Sequence, residues 1–389
     1  MKKLGAVNVM GMPCAHAQLC DIKVGVASSE EHFPSIASHK ASTLQTIIQS
    51  TFHRPRYRTM PSFTVFKGSK DGSIKKSETT RDLSGDEVLL RVTASGLCGT
   101  DLHYRKADMV LGHEGVGVVE EVGPDAKLLK KGDRVGWGYE HDCCHHCQEC
   151  LRGNETYCPE RKLYGLADLD RGSFANASIW SEKFLFKIPD NISDEDAAPL
   201  QCGGATVFNA LHAYNAQPTE TVGVMGVGGL GHLAIQFAAK MGCRVVVLSG
   251  SDRKKDEAMK LGAHEFVATK NAKELKVSKP LNRLLVTTSV PPDWNLVLPI
   301  LAPGATIHPL TVAEGDFAIP TMPMIAQGLT IQGSVVASRY IHQRMLEFAA
   351  LHGVKPIIQK FPMTVDGIEK AMKTLDDGEM RYRGVLVPQ

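Results

Sequence analysis

Residues 221–248 read TVGVMGVGGLGHLAIQFAAKMGCRVVVL and decide the fold of much of the chain. Thr221–Met225 is a short apolar run, typical of a buried strand. A glycine-rich turn follows at once, and apolar residues then recur at helical spacing from Leu230 to Met241. Residues 245–248 are a second apolar run. The stretch therefore predicts a strand, a tight turn, a helix and a second strand.

The turn itself, residues 226–231, reads GVGGLG and has the spacing of a dinucleotide-phosphate loop. Gly226 permits the tight turn, Gly228 lets the backbone approach a pyrophosphate, and Gly231 lets helix and strand pack closely. The helix N-terminus supplies N–H groups for the phosphates. The motif alone is weak, but it lies in the strand–turn–helix context that it requires. The cofactor-binding candidates here are Gly226, Gly228, Gly229, Leu230 and Gly231.

Strand-like and helix-like segments continue to alternate downstream. The pattern predicts strands at residues 265–267, 283–287, 305–308 and 329–336, and helices at residues 254–261, 294–301 and 341–351. Residues 361–389 hold one more helix and a final strand. Such alternation predicts a doubly wound parallel sheet with right-handed crossovers.

The chain before residue 200 has a different pattern. Short β-prone runs alternate with Gly and Ser turns, at residues 63–66, 88–92, 116–122, 131–135 and 184–188. These runs predict an all-β, barrel-like region. The fold class is therefore α/β, with a β-rich domain beside a parallel-sheet domain.

Two glycine-flanked segments of the β-rich region carry metal-ligand side chains. Residues 96–103 read GLCGTDLH and include Cys98, while residues 112–117 read GHEGVG and include His113. Cys202 follows in PLQCGG, residues 199–204. A thiolate and an imidazole are ligands that zinc prefers, and three protein ligands leave the fourth position of a catalytic zinc site open.

A second cysteine group lies between the predicted strands. Cys144, Cys147, Cys150 and Cys158 have the spacing of a metal knuckle, and four thiolates close a tetrahedral site with no open position. This predicts structural zinc, with an iron–sulfur cluster as the alternative for the same four thiolates. Disulfides fit the two-residue spacing poorly. Cys143, His145 and His146 are expected not to ligate.

Composition bounds the function classes. The chain has 389 residues, 43% apolar and 22% charged, with a net charge of +2, which argues neither for nor against nucleic acid. The sequence contains no run of eighteen apolar residues, so it predicts no membrane helix. The ten cysteines fit metal ligation in a reducing compartment better than disulfides.

Residues 1–59 differ from the rest. They carry seven Lys and Arg residues against three acids and show no sustained periodicity. We expect an extension that is disordered or a targeting segment, or a start codon assigned too early, with Met60 as the working start. The location predicted from sequence is the cytoplasm, or the mitochondrion if residues 1–59 act as a presequence.

Taken together, these motifs resemble the zinc-dependent medium-chain alcohol dehydrogenases, specifically the cinnamyl-alcohol-dehydrogenase-like branch, over about residues 60–389. The resemblance implies a GroES-like catalytic domain at residues 60–205, a Rossmann domain at 206–338 and a C-terminal return to the catalytic domain at 339–389. It also implies a homodimer. Two zinc ions per chain, one catalytic and one structural, are expected.

The resemblance assigns roles to the glycine-flanked residues. Cys98, His113 and Cys202 match the catalytic zinc ligands, and Glu114 matches a carboxylate that can approach the zinc. Further matches are Asp101, as the partner that orients the ligand histidine, and Thr100 and His103, as a proton relay. The implied reaction moves a hydride between a nicotinamide cofactor and an aromatic or medium-chain primary alcohol or aldehyde, with zinc as Lewis acid.

The end of the second strand predicts which nicotinamide cofactor binds. An NAD site places an acid there, but this chain has Ser249, followed by Ser251 and then Lys254. Serine hydroxyls and a lysine can bind a 2′-phosphate, so NADP(H) is expected, unless residues 249–251 are merely a turn and Lys254 a solvated helix residue. Asp252 is expected to cap the next helix.

Two other classes share parts of this pattern. A zinc-free quinone reductase has the same architecture but lacks the cysteine knuckle and the ligand triad. A non-catalytic relative would be expected to lose at least one ligand, and none is lost here. Only fourteen residues separate Cys98 from His113, fewer than is usual in the family, and this leaves the substrate class open.

Overall fold

The computed structural model describes residues 60–312 and 315–389, so the predictions for residues 1–59 lie outside the described residues. The strands are β1 Ser62–Lys67, β2 Lys75–Thr80, β3 Glu87–Leu97, β4 Gly115–Val122, β5 Arg134–Trp137, β6 Glu140–Asp142, β7 Lys162–Leu163, β8 Ala177–Ser181, β9 Phe186–Lys187, β10 Thr221–Met225, β11 Arg244–Ser249, β12 Glu265–Ala268, β13 Leu281–Val286, β14 Leu301–Pro309, β15 Thr330–Ile331, β16 Ile358–Pro362 and β17 Arg383–Val387.

Ten α-helices and five 3₁₀ helices connect these strands in the described part of the chain. The α-helices are α1 Gly99–His103, α2 Gln148–Leu151, α3 Asp194–Ala197, α4 Gly203–His212, α5 Gly231–Lys240, α6 Lys255–Lys260, α7 Trp294–Val297, α8 Thr321–Gln327, α9 Arg339–His352 and α10 Val365–Asp376. The 3₁₀ helices are Glu155–Tyr157, Glu182–Phe184, Ala198–Gln201, Asp252–Lys254 and Leu298–Ile300.

The β-rich part is built on a sheet of order β16-β17-β3-β4-β5-β9, with β8 also paired to β3. Its pairs are antiparallel except β16 with β17, which run parallel. The strand β17 comes from the C-terminus and pairs with β3, so the chain returns to this sheet after the parallel domain. Two small sheets, β1-β2 and β6-β7, complete this part.

The second part is a six-stranded parallel sheet of order β12-β11-β10-β13-β14-β15. This confirms the predicted doubly wound sheet, and the order reverses at β10, the strand before the glycine turn. Gly226 has a φ of +96°, which favours glycine. A Cβ on Gly231 would lie 1.9 Å from the carbonyl oxygen of Gly226, so helix and turn meet only because Gly231 has no side chain.

Several predicted elements differ in extent. The strand expected at residues 329–336 is only Thr330–Ile331, and its residues are exposed at the sheet edge. The helix expected at 294–301 ends at Val297 and continues as a 3₁₀ turn, because Pro299 cannot donate a backbone hydrogen bond. The run at 184–188 divides between a 3₁₀ helix and β9. Strand β16 was not predicted.

Two tryptophans and one cysteine are part of the apolar interior rather than of a site. Trp137 and Trp180 are buried together, with ring centroids 5.8 Å apart, and Cys243 is buried as a small apolar residue. All three side chains therefore serve packing in the interior. Among the described residues, no helix is both long and apolar enough to cross a membrane.

Candidate functional site

The ends of β3 and β4 bring the first two candidate ligands together. Cys98 directly follows β3 and lies at the N-terminus of α1, while His113 comes two residues before β4. Strands β3 and β4 pair antiparallel, with Ser95 opposite Gly115, so the two segments meet at one end of the sheet. Cys202 arrives from elsewhere, at the start of α4.

These residues form a group with the donors of a metal site. One ligand atom from each of Cys98, His113, Glu114 and Cys202 can be chosen so that all four lie within 4.8 Å of one another. Nε2 of His113 is buried and has no hydrogen-bond partner among the described residues. An unpaired imidazole nitrogen beside two thiols fits zinc, so the residues present suit the metal.

Asp101 fixes the orientation of the His113 imidazole ring. Its Oδ1 lies 3.0 Å from Nδ1 of His113, and its Oδ2 accepts a hydrogen bond from the backbone N–H of Cys98 at 2.8 Å. The hydroxyl of Tyr164 also donates to Oδ1, at 2.9 Å. Since Nδ1 of His113 is engaged, Nε2 is the atom presented to a metal.

Electrostatics favour a thiolate in this group. A hydrogen bond from the Cys202 thiol lowers the pKa of Cys98 well below its ordinary value, although burial opposes the shift. Burial raises the pKa of Glu114 to about 7, while Arg383 opposes that rise. The thiolate is the form that ligates metal.

Arg383 is a residue of the site that the sequence reasoning missed. Its Nη2 donates to Oε1 of Glu114, and both side chains are buried. Its Nη1 would lie 3.0 Å from a Cβ on Gly229, so the same guanidinium also reaches the glycine turn. Arg383 begins β17, and the sequence holds no local motif that could have pointed to it.

The two predicted relay residues lie on α1. The hydroxyl of Thr100 is 3.8 Å from Sγ of Cys98, next to the candidate ligands. His103, the last residue of α1, is exposed. The structure therefore places Thr100 at the site and His103 towards solvent.

Two tyrosines pack on the ring of the candidate ligand His113, and a third packs behind them. The Tyr139 ring packs edge-on at 5.5 Å between centroids, and the Tyr164 ring lies at 4.6 Å. Tyr104 packs on Tyr164 at 5.4 Å between centroids, and burial, with a smaller contribution from nearby Tyr104, raises the pKa of Tyr139. Sequence reasoning did not identify Tyr139 or Tyr164 as residues of the site.

The four predicted knuckle cysteines also converge. Sγ atoms of Cys144, Cys147, Cys150 and Cys158 all lie within 4.8 Å of one another. The backbone N–H of Cys147 donates to Sγ of Cys144 at 3.3 Å. The backbone of His146, followed by that of Cys147, lowers the pKa of the Cys144 thiol to about 6. The set fits a closed four-thiolate metal site.

The neighbouring side chains of the knuckle make other contacts. Nδ1 of His145 lies 3.3 Å from Sγ of Cys143, and Nδ1 of His146 donates to the carbonyl oxygen of Cys144 at 2.6 Å. His146 does fall in a second possible group, with Cys144 and Glu160, but it shares Cys144 with the four-cysteine set.

The glycine turn lies open for a cofactor. A Cβ on Gly228 would meet no protein atom within 4 Å, which leaves room for a phosphate close to the backbone. The open turn at the N-terminus of α5, with the Arg383 guanidinium near Gly229, fits a dinucleotide pyrophosphate.

Lys254 contacts this turn directly. Its ammonium group donates to the carbonyl oxygen of Val227 at 2.7 Å and lies 4.8 Å from the centre of the Tyr382 ring, so it is not a solvated helix residue. Ser249 ends β11 and Ser251 follows. The predicted cap by Asp252 is wrong: Ser251 occupies the N-cap position of the short 3₁₀ turn, and no side chain caps it.

Comparisons with known proteins agree with this geometry. Residues 84–190 match the family model of the alcohol dehydrogenase GroES-like domain, and residues 229–351 match the zinc-binding dehydrogenase model. The chain is 34% identical to an NADP-dependent alcohol dehydrogenase of Mycolicibacterium smegmatis over 80% of this chain and 93% of the relative.

Solved structures give the same result. A cinnamyl alcohol dehydrogenase from Sorghum bicolor superposes with a TM-score of 0.77 at 30% identity, covering 84% of this chain and 98% of that one. The enzyme of the same name from Helicobacter pylori, complexed with NADP(H), gives 0.77 at 25% identity, with 84% and 98% covered. The chain therefore belongs to the zinc-dependent medium-chain alcohol dehydrogenase family, in its cinnamyl-alcohol-dehydrogenase-like branch, and is an alcohol/aldehyde oxidoreductase.

Proposed function

We propose that this protein is a zinc-dependent, NADP(H)-preferring alcohol dehydrogenase that interconverts primary alcohols and aldehydes. The observation that carries the proposal is the buried group of Cys98, His113 and Cys202, in which Nε2 of His113 has no partner among the described residues. A bound zinc would supply Lewis-acid polarisation of the substrate oxygen.

The residues around this group have proposed roles of their own. Asp101 holds His113 so that Nε2 faces the metal position. Thr100, beside Cys98, exchanges a proton with the substrate oxygen, and His103 passes that proton to solvent from its exposed place on α1. Glu114, paired with Arg383, keeps a carboxylate oxygen free beside the ligands.

The preference for NADP(H) rests on charge. Strand β11 ends on Ser249 rather than an acid, and Ser249 and Ser251 can donate hydrogen bonds to a 2′-phosphate. Lys254, already held at the glycine turn through Val227, supplies a positive charge nearby. The Mycolicibacterium relative is named for NADP, in keeping with this proposal.

We also propose a structural zinc held by Cys144, Cys147, Cys150 and Cys158, which gives two zinc ions per chain as the expected content. The free thiols of the described cysteines favour a reducing compartment such as the cytoplasm. We further propose a GroES-like catalytic domain at residues 60–205, a Rossmann domain at 206–338 and a return to the catalytic domain at 339–389.

A homodimer is the proposed assembly. Strand β15 is the edge of the parallel sheet and exposes Ile331, while the adjoining helix α8 exposes Met322 and Ile325 at 70% and 69% of their surface. Unpaired backbone groups at a sheet edge and exposed apolar side chains beside them favour pairing with a second copy. Light scattering of the purified protein gives the mass directly.

The test combines metal content and turnover. We expect about two zinc ions per chain and NADPH-dependent reduction of aliphatic or aromatic aldehydes, with kcat/KM for NADPH above that for NADH. Equal values for the two cofactors, or an NADH preference, would refute the cofactor proposal alone. A protein without zinc that reduces quinones, or one that reduces nothing, would refute the function itself.

A further inference from the structure

A narrow cleft lies close to the candidate zinc ligands, with Tyr139 in its wall. Its walls include Tyr139, Glu140, Gln201, Val336 and Arg339, and the space of about 260 Å³ between them is partly open to solvent. The enclosed part of the cleft has room for about one water-sized group.

The cleft shares its walls with the ligand group. Tyr139 lines it and also packs its ring against His113, and Gln201 directly precedes Cys202 in the chain. Gln201 is fixed in place because its Oε1 lies 2.9 Å from Nε2 of His342, a ring that stacks on Phe186. The cleft and the candidate ligand group therefore share Tyr139 as a common wall.

Glu140 is the unusual residue of the cleft. Only 7% of its surface is exposed, and its Oε1 is buried without a hydrogen-bond partner among the described residues. Burial, with Glu155 nearby, raises the pKa of Glu140 to about 8. At neutral pH the group is therefore mainly a neutral carboxyl, which can both donate and accept a hydrogen bond.

We propose that Glu140 binds a second, neutral oxygen of the substrate, so that the protein favours aldehydes carrying a hydroxyl group, and the corresponding diols, over purely apolar ones. This rests on the proposed function. The unpartnered Oε1 of Glu140, buried in a cleft beside the metal ligands, is the geometry behind it.

The residues of the cleft disfavour a charged or an apolar group of the substrate in this place. Arg339 lies in its wall, but its backbone N–H and Nε both donate to Oε1 of the buried Glu155, so its charge is already balanced. A substrate carboxylate would then face Glu155 without a free cation. An apolar group would leave Oε1 of Glu140 unpaired, which is unfavourable.

The test uses pairs of aldehydes that differ only in a hydroxyl in place of a methyl group: glycolaldehyde with propanal, 3-hydroxypropanal with butanal, and 4-(hydroxymethyl)benzaldehyde with 4-ethylbenzaldehyde. Each is assayed with the better of the two reduced nicotinamides. We expect the hydroxylated member of at least one pair to have a kcat/KM about 5-fold higher, the worth of one neutral hydrogen bond.

Variants locate the preference. Glu140→Leu should abolish it, Glu140→Gln should retain it, and Glu140→Met replaces the leucine variant if that protein fails to fold. Glu347→Leu, on the exposed face of α9, is the matched control and should leave the ratio unchanged. A wild-type ratio near one in every pair, or a preference that survives Glu140→Leu or Glu140→Met, would overturn the inference. Reduction of no aldehyde at all would instead refute the proposed function.

Discussion

Oδ1 of Asp101 lies 3.0 Å from Nδ1 of His113, and both side chains are almost completely buried. The same carboxylate accepts from the backbone of Cys98, so one side chain fixes two of the three candidate ligands. The relative position of these two ligands therefore depends more on the Asp101 carboxylate than on the number of residues between them in the chain.

Replacing this carboxylate should weaken the metal site. In Asp101→Asn we expect zinc affinity to fall about 10- to 100-fold, because the amide no longer holds His113 in one tautomer and orientation. Zinc retained after dialysis against graded chelator measures the effect. Asp108→Asn, at an exposed aspartate of the following loop, is the control and should retain zinc like the wild type.

His103 should matter less than His113. His103→Ala is expected to lower kcat roughly 10-fold, because water can partly replace an exposed proton carrier, and added imidazole should restore part of the rate. His113→Ala should remove one zinc and nearly all turnover. If both variants lose activity equally and imidazole rescues neither, the relay role of His103 is wrong.

The four-cysteine group should contribute to stability rather than chemistry. Cys147→Ser is expected to lose one of about two zinc ions and to lower the Tm, because the site is closed and holds a loop together. Cys143→Ser, at a neighbouring cysteine whose Sγ contacts His145, serves as the control. Unchanged Tm and zinc content in Cys147→Ser would contradict the assignment.

Cofactor choice should respond to one residue. Ser249→Asp is expected to shift the ratio of kcat/KM values towards NADH by on the order of 10-fold, since a carboxylate accepts from the ribose hydroxyl and repels a 2′-phosphate. Thr364→Asp adds the same charge at the N-cap of α10, where an acid is compatible with the helix. A shift of the same size in both variants would mean that net charge, not position, is responsible.

Glu140 should make stability depend on pH. Its pKa is raised to about 8 from an ordinary value of 4.5, so its stabilising neutral form is fully present below about 4.5 and is lost as the pH rises through 8. The Tm of Glu140→Gln should therefore match that of the wild type at pH 5 and exceed it at pH 9. The expected difference at pH 9 corresponds to roughly 1 to 3 kcal/mol in the free energy of unfolding. An equal Tm at pH 9 would show that the buried carboxyl ionises without cost.

Local patterns made much of this structure predictable. The turn at Gly226 could be predicted because its φ and the close approach of Gly231 both require glycine within six residues. The candidate ligands could be found because glycine flanks them and the residue types suit zinc. Their convergence in space agrees with those predictions.

Long-range contacts could not be predicted in this way. Arg383 reaches Glu114 across 269 residues, and Tyr164 reaches Asp101 across 63, with no periodicity linking either pair. Strand β15 was overestimated because an apolar run at a sheet edge looks like a longer buried strand in sequence. The wall of the Glu140 cleft includes the N-terminal turn of α9, which lies there only because of tertiary packing.

The place of β17 in the β-rich sheet has a consequence for biosynthesis. β17 lies between β16 and β3, and its first residue supplies the guanidinium that meets both Glu114 and the glycine turn. Until β17 has been synthesised, the end of β3 at residues 95–97 lacks its partner strand, and the interior beside Glu114 lacks its countercharge. The β-rich sheet can therefore be completed only after β17 has left the exit tunnel, and the nascent chain exposes an unpaired strand edge until then.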